Sequence, residues 1–262
     1  MKKIVMILFL FLITPLTEAK SKTYILVAGA WHGGWVWAKV IPLLEAKGHR
    51  AIAVDLPGQG ESTIPPSAVN FDDYVKYVVN VANEQEGSVI LIGHSMSGIV
   101  IAQAAEVLGK EKVSKLIFLD AFMPKNGETV VALANKVEKI SRSKSMGPSV
   151  MESLIISDDQ KTSILKPENI GYLFYHDCKP KDIEFAKKHV KPQPMVCLVT
   201  PVALSERYNS IPKYYILCTE AHDLDKSILA NNVPCKKIFK LKSSHSPFYS
   251  MPERLVRIIE QL

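Results

Sequence analysis

Ser95 stands in Gly93-His94-Ser95-Met96-Ser97-Gly98, straight after the apolar run Val89-Ile90-Leu91-Ile92 and straight before the helix-like stretch 99–108. A strand that turns abruptly into a helix forces a serine at the corner into a strained conformation and lifts its hydroxyl above the sheet. Small neighbours are needed because the two backbones pass close together. The usual spacing is G-x-S-x-G; here Ser97 takes the last place, with Gly98 behind it. A serine hydroxyl is a weak nucleophile near neutrality and needs a base beside it. Of the seven histidines, His94 lies inside the turn, His32 and His49 fall in or beside early loops, and His176 and His189 belong to the middle of the chain. His245, in Ser243-Ser244-His245-Ser246-Pro247, follows the last strand-like run and precedes the final helix. That place makes it the expected base. A carboxylate should fix its tautomer and balance its positive form. The loop Cys218-Thr219-Glu220-Ala221-His222-Asp223-Leu224-Asp225 offers three: Asp223 is the expected acid, Glu220 the alternative and Asp225 a third candidate. Any of them could instead cap the helix that follows. A developing oxyanion needs two backbone N–H donors, expected from Met96 and, in the loop Gly29–Gly34, from Ala30.

These groups can meet only if the intervening chain builds a scaffold for them. Runs near 24–28, 51–55, 88–92, 113–119, 214–218 and 237–241 read as strands, and several are continuously apolar. Helix-like periodicity separates them near 35–47, 71–83, 99–108 and from 252 to the end. Alternating strands and helices with uninterrupted apolar strands predict a mainly parallel six-stranded sheet covered on both faces. Loops at the carboxyl ends of such strands gather in one crevice, so Ser95 and His245 are expected to meet. The stretch 121–212 breaks the rhythm and reads as a mostly helical cap inserted after the fourth strand. The core is then 20–120 together with 213–262.

Residues 1–19 differ in kind. Lys2 and Lys3 precede an apolar run from Ile4 to Leu16, and Thr17-Glu18-Ala19 sets small residues where a signal peptidase reads. This predicts a cleaved secretory signal, too short to span a bilayer comfortably, and a secreted or periplasmic protein. Its removal takes away two Lys and one Glu, so the net charge falls from +6 to +5. The basic residues are scattered with no stacking aromatic set, which argues against a nucleic-acid partner. Cys178, Cys197, Cys218 and Cys235 have no metal-type spacing; export would permit disulfides, in any of three pairings.

The segments "LVAGAWHGGWVW", "DLPGQGES", "GHSMSG", "FLDAFMP", "FYHDC", "KPQP", "ILCTE" and "SSHSPFYSMPERL" resemble the α/β-hydrolase branch that holds plant methyl esterases, hydroxynitrile lyases and bacterial pyrethroid-hydrolase-like esterases. The resemblance covers nearly all of the chain after residue 19. It implies Ser95 as nucleophile, His245 as base, and Ala30 and Met96 as oxyanion donors. Three positions depart from that pattern. Ala28 replaces a frequent His, Ser97 replaces Gly, and Ala221 stands where the branch's acid follows "CTE", leaving that role to Asp223 or Glu220. Lyases of the branch carry Thr where this chain has Gly29, and Lys where it has Ser246. Both positions favour an esterase.

The reading is a serine carboxylesterase for small hydrophobic esters, with Phe122, Met123, Leu173, Phe174 and Tyr175 as candidate apolar lining. Ser at the elbow excludes the aspartate-nucleophile relatives. No metal or organic cofactor is implied, and a homodimer is compatible with the sequence. The competing readings are a non-catalytic ligand-binding protein on the same fold and an acyltransferase sharing the acyl-enzyme.

Overall fold

In the computed structural model, residues 21–140 and 147–262 are described; the expected signal segment lies outside them. The chain runs β1 (Thr23–Val27), α1 (Ile41–Glu45), β2 (Arg50–Val54), α2 (Phe71–Asn83), β3 (Val89–His94), α3 (Ser97–Leu108) and β4 (Val113–Leu119). It continues with α4 (Val130–Ile140), β5 (Leu154–Ile156), β6 (Thr162–Leu165), α5 (Pro167–Phe174), α6 (Pro180–His189), β7 (Gln193–Pro194), α7 (Val196–Val199) and α8 (Glu206–Asn209). It closes with β8 (Lys213–Cys218), β9 (Lys237–Leu241), α9 (Pro247–Ser250) and α10 (Pro252–Glu260).

The main sheet has the order β2-β1-β3-β4-β8-β9, and every pair in it is parallel. β3 is buried along its whole length, as a strand covered on both faces must be. After β1 the chain steps to one side, to β2, and then back across to β3. The crevice beyond the carboxyl ends of β1 and β3 is therefore the switch point of the sheet.

One expectation changes and another is extended. The helix foreseen over 35–47 is a 3-10 turn at Gly34–Trp37 followed by the short α1. Pro42 has no N–H and clashes with the carbonyl four residues back, so it can only open a helix. The stretch between β4 and β8 is mostly helical in its regular structure, as expected, and it also carries three short strands. β5, β6 and β7 form a small antiparallel sheet of their own. Its strands are two to four residues long, too short to leave a readable alternation.

The elbow shows why small residues are required. A Cβ on Gly98 would lie 2.2 Å from the Phe122 carbonyl oxygen, and one on Gly93 would lie 2.7 Å from that of Ser97. Ser97, at the place where Gly is usual, is fully buried, and its hydroxyl donates to the Ala28 carbonyl at the end of β1. The departure from Gly thus ties the elbow to the neighbouring strand. Gly98→Ala is expected to destabilise the fold by about 1–3 kcal/mol, the usual cost of overpacking a filled interior. A lowered urea midpoint at unchanged slope would register it.

Candidate active site

Strand register sets the site. β1 pairs Val27 with Gly93, and β3 pairs His94 with Leu119. Continued past the strand ends, this lays Gly29 beside Ser95 and Ser95 beside Asp120. Backbone bonds hold the arrangement: Ser95 N–H donates to Leu119 O at 3.2 Å, and Asp120 N–H to Ile216 O at 2.8 Å. Ser95 has φ 54° and Asp120 φ 44°. Both lie in the left-handed region that side chains avoid, a strain typical of functional sites.

His245 follows β9 at the same rim. The His94 Nε2–H donates to the His245 carbonyl at 2.9 Å, and the two rings lie 4.3 Å apart. Ser95's immediate neighbour is thus bonded to the expected base, and the two distant loops meet. Ser95 is half-exposed, and its hydroxyl makes no hydrogen bond among the described residues. Catalytic contacts of this kind often tighten only with substrate bound.

The carboxylate on His245 is not the expected one. Nδ1 lies 2.6 Å from Asp120 Oδ2, and both side chains are buried. Asp120 Oδ1 accepts the Cys218 N–H at 3.1 Å. Asp223 instead accepts from the Lys226 ammonium at 2.5 Å, and its Oδ2 stands 3.6 Å from His245 Nε2. Glu220 faces outward and pairs with Lys242 at 3.4 Å. Asp225 Oδ1 accepts the Ser227 N–H, a local turn bond. The physical reason is reach. Asp120 ends a central strand and aims directly into the rim, whereas the acids after β8 ride on a loop that has room to pair elsewhere. Asp120 also lies between Ser95 and His245 in chain order, so order alone does not separate it from Asp223. Its legible signal is an acid closing the otherwise apolar strand end Leu116-Ile117-Phe118-Leu119.

Lys226 is the other group that the motifs did not reveal. It is fully buried, donating to Asp120 Oδ2 at 3.0 Å and to Asp223, with its ammonium 3.3 Å from His245 Nδ1. Burial alone would raise the Asp120 carboxyl, but the Lys226 charge and the His245 contact draw it below the usual carboxylate range. Burial would lower Lys226, and the two carboxylates hold it above its usual value instead. Asp120, Asp223 and His245 bring three ligand-type atoms within 4.8 Å of one another. Lys226 sits among them and already supplies the positive charge that such a cluster calls for. The other nearby imidazoles are held neutral: burial pushes His32 down to about 4 and His94 well below its ordinary value, with His245 adding to both.

Met96 directly precedes α3, where helix N–H groups lack intrahelical partners. Neither its N–H nor that of Ala30 finds an acceptor among the described residues, so both remain open to an oxyanion. The insertion fixes the Ala30 loop through the next residue. Trp31 N–H donates to Gln193 Oε1 at 3.3 Å, its indole to Ser163 O at 3.0 Å, and its carbonyl accepts Lys191 N–H at 2.9 Å. Of the five candidate lining residues, Met123, Leu173 and Tyr175 have no exposed surface and are packing. Phe122 and Phe174 keep a little exposure, and the Phe174 ring lies 5.4 Å from that of His245. The four cysteines are all free thiols, Cys197 and Cys218 buried, Cys178 and Cys235 half-buried.

The alpha/beta hydrolase family matches residues 24–258. This chain belongs to the alpha/beta hydrolase family. Among curated proteins, the hydrolase is 29% identical to methylesterase 7 of Arabidopsis thaliana over 92% of its own length and 96% of that protein's. It is also 29% identical to the putative chloroplastic methylesterase 15 of the same plant, over 93% of its own length. It spans only 57% of that longer relative. Polyneuridine aldehyde esterase superposes with a TM-score of 0.81 at 25% identity, covering 92% of this chain and 99% of that one. The pyrethroid hydrolase PytH superposes with a TM-score of 0.77 at 26% identity, covering 92% and 97%.

Asp120→Asn keeps the shape of the side chain but removes the charge that sets the imidazole tautomer. Turnover is expected to fall by about 10⁴-fold, as when a triad acid is lost, while Glu220→Gln leaves it unchanged. Steady-state kinetics on the two purified variants checks both.

Proposed function

We propose that this hydrolase is a secreted serine carboxylesterase for small hydrophobic esters, with Ser95, His245 and Asp120 as its triad. The observation that carries the reading is the buried 2.6 Å contact between His245 Nδ1 and Asp120, at the rim where the strained Ser95 stands. In this mechanism Ser95 Oγ attacks the ester carbonyl while His245 Nε2 takes its proton. Asp120 accepts from Nδ1–H, holds the ring's orientation and balances the imidazolium that forms. The N–H groups of Ala30 and Met96 receive the oxyanion. His245 then returns the proton to the departing alcohol, and water clears the acyl-enzyme by the same steps in reverse.

Phe174 against His245 supports an apolar acyl or alcohol group, in keeping with relatives named as methylesterases and as a pyrethroid hydrolase. The lyase alternative finds little room. A Cβ on Gly29 would lie 2.7 Å from Ser95 Cβ, so the threonine that lyases of this branch carry there would not fit without displacing the elbow. Export rests on the charged start, apolar run and small-residue end of 1–19. Among the described residues no helix is long and apolar enough to cross a membrane.

Ser95→Ala is expected to lower turnover of a short-chain p-nitrophenyl ester by at least about 10⁴-fold, with its melting temperature kept. The wild type should form a fluorophosphonate adduct on Ser95 that the variant lacks. Retained turnover would mean another nucleophile; an unlabelled wild type would favour the ligand-binding alternative. Alcohol or amine acceptors added to the assay should not divert the acyl group, as they would in an acyltransferase. Expressed in a secreting host, the mature protein should begin at Lys20, which N-terminal sequencing reads directly.

A further inference from the structure

A triad needs one carboxylate, and this site contains two with a lysine between them. Lys226 Nζ lies 3.0 Å from Asp120 Oδ2, 2.5 Å from Asp223 Oδ2 and 3.3 Å from His245 Nδ1, with no exposed surface. We propose that Lys226 and Asp223 form a buried ion pair that positions Asp120 and sets the pH at which His245 becomes competent as a base. The inference rests on the triad reading above and adds to it two residues that need touch no substrate.

The charges make the case. With His245 neutral, Asp120, Asp223 and Lys226 sum to −1, the same as an acid–histidine pair standing alone. The added pair is neutral in total but not in place. Its cation faces the Nδ1 edge that Asp120 occupies, while its anion stands 3.6 Å from Nε2. Lys226 therefore opposes the imidazolium and Asp223 favours it, and the two effects offset each other only while both are present. Lys226 also fixes Asp120 by taking part of Oδ2, while the Cys218 N–H holds Oδ1.

The other ionisable groups around His245 do not supply this balance. On the β3 and β1 sides stand His94 and His32, both kept neutral by burial. From β8, Cys218 and Tyr215 are raised well above their ordinary values by burial, with Asp120 adding to both. From the insertion, Asp177 accepts the Ser244 N–H at 2.9 Å, and the Cys178 thiol, pushed up by burial, faces the Ser246 carbonyl. Among these only Asp177 carries charge, and it is engaged by the backbone.

The test compares Asp223→Asn, Lys226→Met and the double variant in the full-length mature protein. The readouts are the acid limb of kcat/KM and the NMR titration of the His245 ring. A neighbouring charge at these distances moves such a midpoint by about 1–3 pH units. Activity needs the neutral imidazole, so losing the anion destabilises imidazolium and moves the midpoint down. Losing the cation moves it up, and the double variant returns it close to wild type. Asp223→Asn leaves the Asp120–Lys226 pair intact and is expected to fold, so it decides the matter should Lys226→Met unfold. With neither residue on the substrate, kcat should change more than KM. Midpoints that stay in place in folded variants, or single variants that shift in the same direction, would overturn the proposal and leave a purely structural ion pair. The NMR titration reads the same shifts even in a protein without esterase activity. Failure of the esterase reading would instead appear in the wild type, as absent turnover and absent labelling of Ser95.

Discussion

A carboxylate withdrawn wholly from water is costly unless every lone pair finds a partner, and Asp120 is such a group. It has no exposed surface, yet it receives a backbone N–H, an imidazole and an ammonium. Each donor comes from a different segment: the end of β8, the loop after β9 and the loop after β8. Three carboxyl-terminal segments of the sheet are therefore pinned at one atom group. The position of His245, and through His94 its relation to Ser95, follows from satisfying that single buried charge.

The scaffold makes this affordable through its parallel register. The parallel register at the carboxyl ends of β1, β3 and β4 brings Gly29, Ser95 and Asp120 abreast at the rim, and backbone hydrogen bonds lock the corner residues into left-handed conformations. Strain at Ser95 and Asp120 is held by the strands behind them, which fixes both residues at the rim of the sheet. Ser97, which replaces the usual glycine, adds a side-chain bond to β1 where glycine could add none.

Much of this was legible in the sequence, for identifiable reasons. Continuous apolar strands announce a covered parallel sheet, and the Gly-flanked Ser95 between strand and helix announces the elbow. His245 is marked by its place after the last strand. The carboxylate that meets His245 was not legible in the same way. Asp120 closes a strand instead of opening a loop, and Asp223, Glu220 and Asp225 crowd the segment where chain order suggests looking. Which of four carboxylates meets an imidazole depends on where backbone and ammonium donors lie, and Lys226 carries no motif. The small sheet of the insertion leaves no periodic trace because its strands are two to four residues long, and the helical periodicity over 35–47 runs across Pro42, which the structure resolves into a 3-10 turn and the short α1.

The insertion is bonded to both loops that meet at the candidate site. Gln193, Ser163 and Lys191 hold Trp31 within the Gly29–Gly34 loop, while Asp177 holds Ser244 next to His245. A chimaera that grafts another relative's insertion onto this sheet would therefore change more than the insertion itself. It would also replace the struts that hold Trp31 and Ser244, so insertion and sheet must diverge together if the rim is to keep its geometry through the exchange.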